Sequence, residues 1–253
     1  MFRRAVCCLV LTISLLMWGG ELWGDEARVL DVLDGDTYRV RCAHGEINVR
    51  CLLIDTPELH HPVRGVEELG MEARRAAVAM IASRDVELEI RGIDRYGRTL
   101  AHVWFTGPEG PRLLAEELCA MGLALPLPMG DGLEHLDLVE RGVSQGRSSR
   151  SGLWGIARRR AYTPAQVSSE ITALRGHFLS VTGVISRTVV TKAFLTVYLK
   201  DSSLRLRLRQ PVISSLSPGL FCPGSVVTVT GKVVSGYGGP EMEIGSIKQV
   251  EHM

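Results

Sequence analysis

The chain has 253 residues, 45% of them hydrophobic and 23% charged, with a formal net charge of +1. Those values exclude a disordered or fibrous chain and leave room for one or two domains, each with its own core. The net charge hides an asymmetry. Residues 25–156 carry 15 arginines and no lysine against 22 acids, a balance of −7, and residues 157–253 carry 12 basic residues against 5 acids, a balance of +7. Opposite signs in the two halves point to different jobs.

In chain order, Arg3 and Arg4 precede an apolar run over residues 5–18, which Gly19, Gly20 and Glu21 break. That is the order of a secretory signal peptide spanning residues 1–24, with cleavage after Gly24. The run is short of the roughly 20 apolar residues a spanning helix needs. The expectation is therefore a secreted or periplasmic protein. An uncleaved anchor is the alternative and would be the sole route to a membrane. Cys7 and Cys8 leave with the signal, and Cys42, Cys51, Cys119 and Cys222 remain without a C-x-x-C spacing for zinc. Their pairing stays open, although Cys51 and Cys119 sit in apolar runs, where a free thiol packs as a small hydrophobe.

Val29, Leu30, Val32 and Leu33 lead as a strand into Asp34-Gly35-Asp36-Thr37. Strands follow over residues 38–42 and 47–54, separated by a glycine turn at 43–46. Residues 59–70 have no periodicity and read as a long loop, a common place for function. Ala73, Ala76, Ala77, Met80 and Ile81 share one helix face. Strands at 86–90 and 100–105 flank a turn at 93–98. Leu114, Leu118 and Met121, closed by Gly122, mark a second helix, and Leu136, Val139 and Val143 a third. A strand cluster carrying helices predicts a small antiparallel barrel of α+β type over 25–156. Residues 157–169, with three consecutive arginines and Pro164, read as a linker. Five strand-like runs follow (176–187, 193–200, 203–209, 225–235 and 242–250), with an insertion at 211–223. That pattern fits a second, oligonucleotide-binding (OB) type β-barrel over 170–253.

The stretch from Arg50 to Glu58 concentrates the chemistry. A buried run at 51–54 has an arginine before it and two carboxylates after it, a desolvation cost that packing alone does not explain. Asp36 and Asp55 lie at the ends of strands of one hairpin, and two carboxylates with backbone carbonyls and water suit a hard cation, above all Ca2+. Asp34 can support them from behind. Glu58, placed by Pro57, can take a proton from an attacking water. Arg50 and Arg98 each offer a planar fork of donors that matches phosphate oxygens. Arg64 is the one basic residue of the long loop. His60 and His61 offer no third ligand, and calcium does not favour imidazole. In the second half, Arg205, Arg207 and Arg209 alternate with leucines and line one strand face. Phe194, Thr196 and Tyr198 share a face of the preceding strand. Such a face can track a phosphate backbone and stack bases.

Several of these segments together resemble the staphylococcal nuclease (thermonuclease) family. They are residues 33–37, Arg50 to Glu58, His61-Pro62 with Gly65-Val66-Glu67, residues 70–73, Asp94 to Arg98 with Leu100-Ala101, and Gly122-Leu123-Ala124. Their order and approximate spacing follow that family from Ala27 to about Trp154. The resemblance implies an OB-type five-stranded barrel with three helices and a calcium-dependent phosphodiesterase acting on DNA or RNA. It implies that Asp36, Asp55 and the Thr56 carbonyl hold the ion. It makes Glu58 the general base, Arg50 and Arg98 the clamps on the scissile phosphate, and Tyr96 a neighbour of the nucleotide's terminal phosphate or sugar. In many family members tyrosines follow the second helix. Here Leu125-Pro126-Leu127-Pro128 stands in that place, which predicts weak hold on a mononucleotide base. Other classes remain: a non-catalytic nucleic-acid-binding protein, or an envelope-associated scaffold whose second domain binds protein. No obligate protein partner is implied.

Overall fold

The computed structural model describes residues 24–60, 65–130, 132–217 and 219–252. The signal-peptide reading and Arg64 fall outside the described residues. Among the described residues, no helix is long and apolar enough to cross a membrane.

The first half begins with an antiparallel meander, β1 (Asp25–Val32), β2 (Thr37–Cys42) and β3 (Gly45–Cys51). Val29, Val32, Tyr38, Val40, Val49 and Cys51 turn inward and are buried, the alternation that a half-solvated strand requires. The strand expected over 47–54 is broken. Leu52 and Leu53 form a turn with Leu53 at φ 68, and β4 (Ile54–Asp55) starts afresh. A left-handed leucine is strained, and such strain persists only where the surroundings enforce it. Here Leu53 is buried, and its carbonyl accepts a 2.7 Å hydrogen bond from the Leu127 amide. Helix α1 (Gly70–Ile81) lays Ala73, Ala77 and Ile81 on the core. Strands β5 (Asp85–Ile93) and β6 (Thr99–Gly107) follow, and β6 closes the barrel by pairing parallel with β3. The order is β3-β2-β1-β5-β6, with β7 (Gly110–Leu113) added at the edge. Then come α2 (Leu114–Ala120), β8 (Leu125–Pro126), which pairs with β4, α3 (Leu136–Ser149), and α4 (Gly152–Arg158).

Residues 157–169 are not an open linker. They hold the end of α4, β9 (Ala161–Tyr162), which runs parallel to the next barrel's first strand, and α5 (Pro164–Ser169). Thr163 and Gln166 form a reciprocal capping box with Pro164 at the first helical turn, so Thr-Pro-x-Gln starts a helix rather than a tether. After α6 (Ile171–Leu174) come β10 (Phe178–Val190), β11 (Phe194–Leu199), β12 (Arg205–Arg209), β13 (Val226–Gly236), β14 (Gly239–Ile244) and β15 (Val250–His252). The barrel order is β10-β11-β12-β14-β13, closed by β13 on β10, with β12 and β14 parallel. Taken in chain order, both barrels therefore share one circuit, first-second-third-fifth-fourth and back to the first. The circuit is that of a five-stranded Greek-key barrel of OB type. The insertion between β12 and β13 holds a short 3-10 turn (Val212–Ser215).

The barrels are wedged together. Phe178 of β10 packs in the core of the first barrel. Arg160 makes a two-pronged pair with Glu68 at 2.6 and 3.0 Å, Ser246 donates to Glu140 at 2.6 Å, and Arg147 reaches the Lys248 carbonyl at 2.7 Å. Gly245 is so close to β8 that a Cβ there would lie 1.7 Å from the Pro126 carbonyl oxygen. Gly245→Ala therefore forces the seam apart and costs about 2 kcal/mol by overpacking. For a chain of this length that is a fall of about 4–8 °C in Tm, which scanning calorimetry measures.

Candidate active site

One rim of the first barrel gathers Asp34, Asp36, Arg50, Asp55, Thr56 and Glu58. The β1–β2 turn delivers Asp34 and Asp36, the end of β3 delivers Arg50, and β4 with the segment behind it delivers the rest. Gly35 lets this turn sit against α1, because a Cβ there would come 2.8 Å from the Ala73 methyl and from the Thr56 hydroxyl. Asp36 is buried. Its Oδ2 accepts from the Thr56 amide (2.8 Å) and hydroxyl (2.9 Å), and its Oδ1 accepts from the Thr37 hydroxyl (3.1 Å). Thr37 and Arg50 are register partners, which places the guanidinium between the acids. Arg50 pairs with Asp36 through one nitrogen and donates to Asp55 Oδ1 at 3.1 Å through another. Burial pushes its guanidinium pKa down, but Asp36 and Asp55 outweigh that and raise it.

Arg98 arrives from the β5–β6 turn. Asp94 holds it by a 2.8 Å ion pair, and its other arm reaches the Thr37 hydroxyl at 3.5 Å. It therefore flanks the carboxylates through the residue bonded to Asp36. Tyr96 is exposed beside it, with the Arg98 guanidinium 5.6 Å from the ring centre. Glu58 is exposed and its backbone is clamped, its amide donating to Glu67 Oε2 (3.0 Å) and its carbonyl accepting from the Glu67 amide (2.8 Å). Arg50, Asp36, Asp55, Thr56, Glu58 and Arg98 thus share one rim, with Tyr96 at its outer edge.

Two contributors have no role in the sequence reading, Glu67, which stands there only in a family segment, and Lys232. Glu67 is buried, and Lys232, from β13 of the second barrel, donates to Asp55 Oδ2 at 3.1 Å and to Glu67 Oε2 at 3.3 Å. Burial raises the Asp55 carboxyl, yet Lys232 and then Arg50 more than offset it and hold it below the usual range. Burial lowers the Lys232 ammonium, and Asp55 and Glu67 more than restore it. No local signal in the sequence marks Lys232. The opposite charge balance of the two halves was the one hint.

The acids still outnumber the cations. Burial first, then Asp36, pushes Asp34 up to about 6, and burial followed by Asp34, Asp55 and Asp36 raises Glu58. Carboxylates that push each other toward protonation mark unbalanced negative potential. Among the described residues, no three His, Cys, Asp or Glu side chains already converge as a cage for an ion. The donors are nevertheless all oxygen and negatively charged, a chemistry that suits a hard divalent cation and not a soft one.

The face expected on the second barrel is arranged differently. Leu204, Leu206 and Leu208 are buried, but the arginines between them are already partnered. Arg205 and Arg207 pair with Glu241, at 2.6 and 3.5 Å, and Arg209 pairs with Glu243. The cause is register: Arg205 lies opposite Glu241 and Arg207 opposite Glu243 across the parallel β12–β14 pair. Arg207 and Arg209 also stack on Phe194, and Arg187 covers Tyr198 at 3.7 Å. Arg205, Arg207, Arg209 and Tyr198 are not brought to the carboxylate rim, and they form no open cationic row.

Comparison with known proteins gives this geometry a family. The staphylococcal nuclease homologue family matches residues 48–155. The thermonuclease of Staphylococcus hyicus is 31% identical over 129 residues, covering 50% of this chain and 74% of its own length. The chain belongs to the staphylococcal nuclease family. Protein ParB of Escherichia coli is 30% identical over 159 residues, 61% of this chain and 84% of its own. The SPbeta prophage-derived endonuclease YokF of Bacillus subtilis is 30% identical over 126 residues, 41% of its length. The span matched to the staphylococcal nuclease family holds Arg50, Asp55, Thr56, Glu58, Tyr96 and Arg98. Asp36 lies ahead of that span, and Lys232 lies beyond it.

Proposed function

We propose that this chain, which family membership makes a phosphodiester hydrolase of the micrococcal-nuclease kind, is an exported, calcium-dependent nuclease acting on DNA or RNA. The observation that carries the reading is the rim on which Asp36 and Asp55 meet at Arg50, with Glu58 and Arg98 beside them. Asp36, Asp55 and the Thr56 carbonyl would hold Ca2+, which when bound offsets the negative charge that gathers on the phosphate. Glu58 accepts the proton of the attacking water as its oxygen bonds to phosphorus. Arg50 and Arg98 donate to the phosphate oxygens and strengthen their grip as charge grows there and the bond to the leaving oxygen breaks. Arg50 has five N–H donors, so two carboxylates do not exhaust it. Export rests on the charge and hydropathy order of residues 1–24.

The second barrel aids single-strand binding in this reading. Its OB circuit and its excess of basic residues support that role, although a phosphate at Arg205, Arg207 or Arg209 has to displace Glu241 or Glu243. The deciding experiment is digestion of single- and double-stranded DNA and of RNA with added calcium or with chelator. Cleavage with calcium that stops on chelation is expected. Cleavage that ignores the chelator removes the calcium assignment, and no cleavage under either condition removes the nuclease.

A further inference from the structure

The second barrel reaches into the first barrel's site at one point. Lys232 stands on the outward face of β13, where Thr228, Thr230 and Lys232 alternate with buried Val229 and Val233. Its register partner on β10 is Phe178, the residue that plugs into the first core. The strand pair that fastens the barrels together, β10 with β13, therefore also fixes the ammonium. Its side chain is 14% exposed, and Glu67, its second acceptor, is 1% exposed. Each oxygen of Asp55 is already occupied by a cationic side chain, Oδ1 by Arg50 and Oδ2 by Lys232. Arg50 belongs to the catalytic barrel, whereas Lys232 lies 177 residues away from Asp55 in sequence.

We propose that Lys232 is a resident counter-ion, supplied by the second barrel, that competes with the divalent cation for Asp55 and so sets how much cation the nuclease needs. This rests on the calcium reading above. A divalent cation at Asp55 has to share that carboxylate with a fixed positive charge a few ångström away or push it aside onto Glu67. Like charges at that separation repel strongly even in an effective dielectric of about 20. The ammonium also makes the acid cluster tolerable without the ion, because removing a counter-charge from carboxylates at a buried seam is costly. Lys232 is thus a positioning residue that acts through Asp55 and touches no reacting atom.

The test titrates calcium into the full chain by calorimetry, comparing wild type with Lys232→Met and Lys232→Arg, and follows Tm with calcium and with chelator. Lys232→Met is expected to bind calcium about tenfold or more tightly, since one unit of opposing charge is gone. It should melt earlier than wild type in chelator and gain more from added calcium. Lys232→Arg, which keeps the charge, should stay within about threefold of wild type. The calcium concentration for half-maximal digestion should fall in Lys232→Met in step with the binding constant. If Lys232→Met does not fold, Lys232→Gln serves, being neutral yet able to donate to both carboxylates. Equal or weaker binding by the neutral variant, with wild type binding normally, overturns the role of Lys232 and spares the calcium reading. Calcium binding by neither protein overturns both.

Discussion

Arg50→Ala lowers turnover on polynucleotides by about a hundred- to a thousandfold, the loss expected when a preorganised donor to developing charge is removed, roughly 3 kcal/mol or more. The effect has two sources here, since Arg50 also separates Asp36 from Asp55. Without the guanidinium, two carboxylates are left facing each other with less counter-charge. The variant should consequently hold the fold less firmly in chelator and recover part of that loss with calcium. Arg50→Lys separates the two roles. A lysine restores charge but has no fork to grip two oxygens, so it should rescue Tm in chelator while turnover stays within tenfold of the alanine variant. Steady-state digestion and calorimetry of the three proteins check both halves. Digestion by Arg50→Ala at the normal rate would refute the phosphate role.

Glu58→Gln is expected to lower turnover by about a hundred- to ten-thousandfold, the range of a lost general base. The structure makes this substitution clean. Glu67 holds the Glu58 backbone through two hydrogen bonds, and the Glu58 side chain is exposed at the rim. The glutamine therefore occupies the same place without a proton acceptor. Tm should be unchanged or slightly raised, because the substitution removes no packing or pairing and relieves the repulsion from Asp34, Asp55 and Asp36. The substrate concentration for half-maximal rate should also stay the same, since no binding contact is lost. A change confined to that concentration, with turnover intact, would make Glu58 a binding residue instead.

The rim was legible in the sequence because its parts lie in short segments whose spacing the backbone fixes. Asp36 lies in the β1–β2 turn, Arg50 stands near the end of β3, and Asp55 and Glu58 follow a few residues later. The strands through Val29, Val40 and Val49 were legible for the same reason. Lys232 was not, because its meaning lies in the docking of two barrels and no local period records that, and Glu67 stood in a family segment with nothing nearby to show that it clamps the Glu58 backbone. The Arg205-Arg207-Arg209 row misled in the same way: alternation says which face a residue takes, and only the strand order says that Glu241 and Glu243 lie opposite. The turn at Leu53 was hidden by hydrophobicity, since an apolar run reads as unbroken strand whatever its φ. Residues 157–169 looked like a tether because the charge of three arginines outweighed the quieter capping pattern of Thr163 and Gln166.

Phe178 separates two boundaries that usually coincide. The span that resembles other nucleases ends near residue 155, yet the hydrophobic interior of that span is completed by a ring from β10, on the far side of the junction. A fragment ending where the family span ends would keep the rim residues of the first barrel and lose part of what holds them still. The stretch that carries the family likeness and the stretch that fills its hydrophobic interior are consequently different lengths of chain.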